Sequence, residues 1–340
     1  MASRLLRTAG IAGAAIAGTA LARIVLTRRR ALAAVPAELR HPLLLLPVHL
    51  RSAAVVRLLT SLPVRPSALV DGVEAGHRVV AGHAGAPPVA VHVYEPHGRE
   101  RPSGALLWIH GGGYVIGDPA TYHDVCSSIA AELGVLVVSV GYRLAPADPF
   151  PAGLDDCYSA LAWLHGHAGE LGVDPARIAV AGDSAGGGLA ACLAQLAHDR
   201  GEVPVAFQAL VYPMLDDRTV LRADHAGTGM FVWSPASNRF GWSAYLGHEP
   251  TVEAPASYAV AARRDDLTGL PPAWIGVGDL DLFHAEDIAY ARRLRESGVP
   301  CDLHVVPGMY HGADALFRRA PVMTGFRASM ISALRSALAG

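Results

Sequence analysis

A five-residue pattern, Gly182-Asp-Ser184-Ala-Gly186, limits what this chain can fold into more than any other feature. A strand-like run, Arg177 to Ala181, leads into it, and an Ala/Leu-rich helical run, Gly186 to Arg200, leads out. A strand that turns into a helix within so few residues needs small neighbours, so that the backbone can fold back on itself. Such a turn lifts the serine hydroxyl clear of a sheet and sets it at a helix N-terminus. There the unpaired N–H groups and the helix dipole favour negative charge. In a chain with 36 glycines, chance gives about 0.2 such patterns, so the flanking strand and helix carry the weight.

The rest of the chain alternates in the same way. Val89–Tyr94, Ala105–Ile109, Val135–Val140, Ile178–Ala181, Ala206–Val211, Trp274–Val277 and Leu303–Val306 read as strands, several of them apolar throughout. Thr121–Leu133, Leu154–Leu164, Gly186–Arg200 and Glu286–Ser297 read as helices between them. Continuous apolar strands alternating with helices predict an α/β fold: a mostly parallel central sheet flanked by helices. With 340 residues, 51% of them hydrophobic, the chain has ample material for one such core. Two stretches break the alternation. Ala31 to about Arg65 reads as helical, with an apolar patch at Leu43–Leu46. Leu215–Leu270 contains Gly227–Trp233 and a helical pattern over Ser237–Leu246. They are either ordinary excursions or, in an enzyme of this architecture, a lid over the active site.

A formal net charge of -2 gives no electrostatic reason to expect a nucleic-acid partner. Cys126, Cys157, Cys192 and Cys301 have neither C-x-x-C nor zinc spacing, so buried thiols and no metal site are expected. The first thirty residues differ in kind. Arg4 and Arg7 precede an Ala/Gly-rich apolar run from Thr8 to Ala22, followed by Arg23 and Arg28–Arg30. Three readings stay open: a signal peptide with an A-x-A-like end, a membrane anchor, and a non-inserting extension. Arg23 interrupts the apolar run short of the about 20 residues that a span needs.

A second motif, His110-Gly111-Gly112-Gly113-Tyr114, follows directly on the run Ala105–Ile109. Acyl transfer passes through a tetrahedral oxyanion that needs several N–H donors aimed at one point. Consecutive glycines let the backbone present them. A phosphate loop would need a different glycine spacing. A base and an acid are then required. His311 lies in Pro307-Gly-Met-Tyr-His311-Gly312, just past a strand, where an open α/β sheet carries its reactive groups. Asp279 and Asp281, in the loop after Trp274–Val277, are the candidate acids; spacing from His311 does not choose between them.

These motifs resemble the hormone-sensitive-lipase-like bacterial esterases and lipases. The resemblance rests on HGGGYVIGD at His110–Asp118, GYRLAPADPFPAGLDDC at Gly141–Cys157, GDSAGGGLA around Ser184 and PGMYHG around His311. It covers roughly residues 85–335. It implies the α/β-hydrolase fold with a helical cap, from about 31–65 and 215–270, on a domain spanning 31–340. It also implies a Ser184–His311–Asp281 triad and an oxyanion site formed by the N–H groups of Gly112, Gly113 and Ala185. His110, Gly111, Tyr114 and Asp183 would support them. Asp281 is favoured over Asp279 because Gly278-Asp-Leu-Asp281-Leu-Phe matches the family's G-x-x-D-P-L, with Glu286 on the glutamate that follows. The implied activity is hydrolysis of short- to medium-chain carboxylic esters without a cofactor.

Two departures stand out: Leu282 replaces the family's proline, and residues 1–30 have no counterpart in its pattern. Asp155 and Asp156 are open to two readings, support for the site or a solvated helix start. Met230, Phe231, Trp233 and Trp242 are candidates for lining the cap. An amidase, for example arylformamidase-like, would use the same triad. A ligand-binding receptor of this family lacks the histidine, which is present here. A membrane-tethered interaction protein would leave the motifs unexplained. The expected partners are a small-molecule ester and, through residues 1–30, weak association with a membrane; cytoplasmic, membrane-associated and exported locations stay open, as does a homodimer.

Overall fold

The computed structural model describes residues 25–47 and 49–339. The alternation becomes one eight-stranded sheet. Its strands are β1 (Val73–Val80), β2 (Val89–Pro96), β3 (Ser103–Ile109), β4 (Leu136–Gly141), β5 (Val173–Asp183), β6 (Phe207–Val211), β7 (Ala273–Gly278) and β8 (Cys301–Val306), in spatial order β1-β2-β4-β3-β5-β6-β7-β8. Only the β1–β2 and β2–β4 pairs are antiparallel. The helices, in chain order, are α1 (25–31), α2 (Ala53–Ser61), α3 (His123–Leu133), α4 (Ala152–Gly166), α5 (Ala168–Leu171), α6 (Ala185–Arg200), α7 (Pro235–Leu246), α8 (His284–Glu296), α9 (Ala313–Leu316) and α10 (Pro321–Leu338). The fold is that of an α/β hydrolase.

Side chains alternate across β3. Ala105, Leu107 and Ile109 enter the core under α4, α6 and α8, while Leu106 and Trp108 enter the opposite core under α3 and α10. Burial on both faces explains why the strand reads as apolar throughout; each fully buried aliphatic side chain contributes about 1.5–3 kcal/mol. β1 escaped the sequence reading because it is a sheet edge. Between Val73 and Val80, all six residues are exposed, and the segment carries Glu, His and Arg. α10 was equally unread, although Met323, Phe326, Met330, Ile331, Leu334 and Leu338 place its apolar face at helical spacing on the sheet.

The helical reading of Ala31–Arg65 is corrected. Pro36, Pro42 and Pro47 interrupt it, and it contains two 3₁₀ turns, Ala37–Leu39 and Pro42–Leu45, before the short α2. Within the apolar patch only Leu44 is buried. Residues 25–30, grouped above with the N-terminal segment, belong to the folded body: Arg28 is buried, donates from Nε to the Leu44 carbonyl (2.8 Å) and lies over the Phe231 ring. His49 Nδ1 and the Leu50 N–H bond to Ser234 and Ser237, which tie this stretch to the start of α7.

Asp156 serves the fold at the point where β4 gives way to α4. Its carboxylate is buried and accepts from the Arg143 backbone N–H (2.8 Å), Nε (2.9 Å) and Nη2 (2.8 Å). Asp155 shares none of these bonds; its carbonyl accepts from the Ser159 hydroxyl. Arg143 is partly exposed, so what Asp156→Ala removes is a set of charged hydrogen bonds and the acceptor of a backbone N–H. It is therefore expected to lose about 1–3 kcal/mol in denaturant unfolding, whereas Asp155→Ala should change stability far less.

Candidate active site

β5 ends at Asp183, α6 begins at Ala185, and Ser184 alone makes the turn with φ 55° and ψ -119°. A non-glycine residue in this region stores roughly 1–3 kcal/mol of strain. Hydrogen bonds on both sides hold it there. The Ser184 N–H donates to the Val211 carbonyl (2.9 Å), and its own carbonyl accepts from Gly188 (3.0 Å) and Met214 (2.9 Å). The turn also presses the chain against β3. A Cβ at Gly186 would stand 2.1 Å from the Ile109 carbonyl oxygen, so only glycine fits.

The hydroxyl so placed meets His311. Ser184 Oγ and His311 Nε2 are 2.9 Å apart, and His311 Nδ1 and Asp281 Oδ2 are 2.8 Å apart. Ser184 is 5% exposed, His311 6% and Asp281 0%, so the chain of bonds is shielded while the serine can still be reached. The second Asp281 oxygen accepts from the Phe283 N–H (2.9 Å). Asp279 turns elsewhere: its Oδ1 accepts from the Gly308 N–H (2.7 Å), fastening the loop that carries His311. Of the two candidate acids that spacing left level, Asp281 meets the imidazole and Asp279 does not. The imidazole is fenced by aromatic edges, with Tyr212 at 4.8 Å and Phe283 at 5.2 Å between centroids.

The glycine loop lies beside the elbow. Gly112 and Gly113 both have positive φ, 121° and 62°. Among the described residues, neither N–H donates to a protein acceptor. Ala185, first in α6, has no intrahelical acceptor for its N–H either. Asp183 ties the loop to the elbow: its carboxylate accepts from the Gly111 N–H (3.0 Å) and the Tyr122 hydroxyl (2.9 Å). Burial pushes its pKa up to about 6 against these bonds. His110 is buried with Nδ1 2.8 Å from the Gly111 carbonyl and its ring stacked on Tyr142; burial lowers its pKa to about 4. Tyr114, at φ 66°, stacks on Tyr245 and donates to the Met214 carbonyl (3.2 Å).

Of the four aromatic or Met candidates for lining a cap, Trp233 alone reaches the site. Its ring fills the space a Gly113 Cβ would take and lies 6.3 Å from His311 between centroids. Phe231 is buried on Tyr310, Trp242 on Tyr114, and Met230 packs into the α3/α10 core; these three are ordinary packing.

Three contributors escaped the sequence reading or were only glimpsed in it. Tyr122 holds Asp183. Tyr212 directly follows β6, the kind of position from which α/β sheets build sites, and this was a usable signal. Glu286 is fully enclosed. Its carboxyl accepts from the N–H groups of Leu215 (2.8 Å) and Asp216 (3.1 Å) and bonds to the Thr219 hydroxyl; burial raises its pKa to about 8. Among the described residues no cluster of His, Cys, Asp or Glu could hold a metal ion, and no helix is long and apolar enough to cross a membrane.

A family profile described as the alpha/beta hydrolase fold matches residues 106–315. The carboxylesterase NlhH of Mycobacterium tuberculosis is 36% identical over 276 residues, 80% of this chain and 86% of its own. The ethyl acetate hydrolase of Pseudomonas putida is 38% identical over 220 residues, 61% of this chain and 65% of its own. A bacterial heroin esterase structure superposes with a TM-score of 0.79 at 36% identity, covering 91% of this chain and 99% of that one. The chain belongs to the hormone-sensitive-lipase-like esterases of the α/β hydrolase fold.

Proposed function

We propose that this carboxylesterase works by two-step acyl transfer with Ser184 as nucleophile, His311 as base and acid, and Asp281 as the group that orients the imidazole. The observation that carries the reading is the continuous line of bonds from Asp281 through His311 to Ser184. It ends beside three N–H groups that have no acceptor among the described residues. Ser184 Oγ attacks the ester carbonyl as His311 Nε2 takes its proton. The negative charge moves to the carbonyl oxygen, where Gly112, Gly113 and Ala185 donate to it; each such donor contributes about 2.7–4 kcal/mol. His311 returns the proton to the leaving alcohol. A water, deprotonated by the same nitrogen, then attacks the acyl-enzyme and releases the acid.

Residues 31–65 and 215–270 act in this reading as the cap. Its support is the pinning of His49 and Leu50 to Ser234 and Ser237, and Trp233 set against Gly113. A bulky indole at that place narrows the acyl side of the cleft and favours short to medium acyl groups. Residues 1–24 act in location, at a membrane surface or in export, and leave the chemistry alone.

Ser184→Ala should lower kcat on a dissolved aryl acetate by about a million-fold while leaving the circular dichroism spectrum unchanged. Asp281→Asn should lose up to about 10⁴, and Asp279→Asn much less, because Asp279 holds a loop and does not touch the imidazole. An active Ser184→Ala variant, or a dead Asp279→Asn beside an active Asp281→Asn, would overturn the assignment. Measuring turnover of an ester and an anilide with the same acyl group in parallel distinguishes ester from amide specificity.

Dissolved butyrate esters should be turned over faster than emulsified long-chain triglyceride. Trp233→Ala should shift the profile toward longer chains; an unchanged profile would remove Trp233 from the acyl pocket.

A chain beginning at residue 25 should keep kcat/KM on dissolved esters within about twofold, since the proposed chemistry involves only residues beyond it. One beginning at residue 32 should melt lower, through loss of Arg28. Loss of turnover in the first, with its melting temperature intact, would place residues 1–24 in the site.

A further inference from the structure

A second cavity of about 160 Å³ lies between α3, α10 and the loop after His311. Ser184, Asp281, His311, Gly112 and Gly113 are not among its walls. A cavity of about 150 Å³ holds one benzene ring, which sets the size of an occupant. Its apolar walls are Trp108, Ile129, Phe326, Met330 and Ile331, all buried. Its polar walls are unevenly occupied. Two of the carboxylates already have donors: Asp183 holds the Gly111 N–H and the Tyr122 hydroxyl, and the buried Asp314 accepts from the Tyr212 hydroxyl at 2.7 Å and from Arg327. Glu132 stands exposed at the rim. The donors are the groups left over. Among the described residues, Trp108, 3% exposed, has no acceptor for its Nε1–H, and the buried Nε of Arg327 has none either. Arg318, paired with Asp124, adds a second guanidinium.

Buried N–H groups without acceptors are costly, and a ligand that supplies acceptors offsets that cost. Spare donors select a ligand that brings acceptor oxygens over an amine, and the Nε–H of Arg327, whose Nη2 is held by Asp314, is left for one charge-assisted bond to a carboxylate oxygen. The apolar walls select a flat hydrophobic body. We propose that this cavity binds a small aromatic carboxylate of benzoate size, with its carboxylate on Trp108 Nε1 and Arg327 and its ring against Ile129, Phe326 and Met330. The site is separate from the catalytic cleft but borders it through Asp183 and Tyr212, whose ring edge faces the His311 imidazole.

The test uses the full chain. Benzoate and benzyl alcohol are titrated calorimetrically into the wild type, Trp108→Phe and Arg327→Met, and crystals soaked in 4-bromobenzoate are measured at the bromine edge. Benzoate should bind at least tenfold more tightly than benzyl alcohol. Each substitution should weaken benzoate at least tenfold with little effect on benzyl alcohol. The bromine peak should lie between α3 and α10. Equal affinity for the two probes, unaltered benzoate binding in both folded variants, no binding at millimolar benzoate, or bromine only in the Ser184 cleft would each overturn the proposal. Should either variant fail to fold, the bromine position in the wild type decides alone.

Discussion

The backbone of Ser184 is the constraint on which the rest depends. A serine at φ 55° and ψ -119° is strained, and the molecule is arranged so that no relaxed alternative is within reach. Relaxing the turn would break bonds to β6 and to Met214, and would push Gly186 away from the β3 carbonyls it nearly touches. The parallel pairing of β3, β5 and β6 thus does more than form a core. It brings the glycine loop after β3, the serine after β5 and the Tyr212 loop after β6 to one edge of the sheet, each by the shortest route from a rigid strand.

Carboxyl groups then fasten the loops. Asp183 joins the glycine loop to the elbow, Asp279 holds the histidine loop, and Glu286 holds the segment after β6 that bonds back to Ser184 through Met214. Each accepts from backbone N–H groups that would otherwise be orphaned. Burial opposes ionisation in two of them, and it wins: Asp183 rises to about 6 and Glu286 to about 8. Asp287, beside Glu286 and Asp281 and without a hydrogen-bond partner among the described residues, is also pushed upward by burial. A carboxyl whose folded pKa is raised favours folding through its neutral form, and that contribution is lost as pH rises through the folded value. In Glu286 this loss begins above the ordinary carboxylate value of 4.5 and is complete near pH 8.

The sheet was legible wherever a strand was buried on both faces, because a continuous apolar run of strand length between turn residues fits a doubly covered strand and little else. That covers β3, β4, β6 and β7; β2 and the far edge β8, only partly buried, were legible from their alternating or β-branched apolar residues, while β1 is an exposed edge whose composition matches a loop. The motif-bearing residues were legible because their chemistry needs glycine and small residues at set spacings. Asp279 and Asp281 were not separable on spacing, since two residues along one loop lie at nearly the same sheet height; what divides them is the loop's path, which tertiary contacts determine. The boundary near residue 30 was misjudged for a related reason. The Arg28 guanidinium looks like part of a basic cluster in sequence, yet it is buried because the Leu44 carbonyl and the Phe231 face meet it in space. Charge patterning says nothing about such distant partners.

In the proposed mechanism the His311 imidazole takes and returns a proton, which needs one nitrogen free toward the serine and the other held, and a ring at the end of a loop can fail on either count. Here the loop and the ring are held by different acids. Asp279 binds the Gly308 backbone and sets where the loop stands, while Asp281, itself aligned by the Phe283 N–H, sets how the ring turns. Phe283 and Tyr212 pack crosswise against the imidazole. In that low-dielectric surround the carboxylate stabilises the imidazolium more than it could in water. The same surround would make an unaligned carboxylate expensive to bury. Placing the acid just ahead of Phe283, the residue that caps the start of α8 and whose N–H is free to bind it, meets both demands at once.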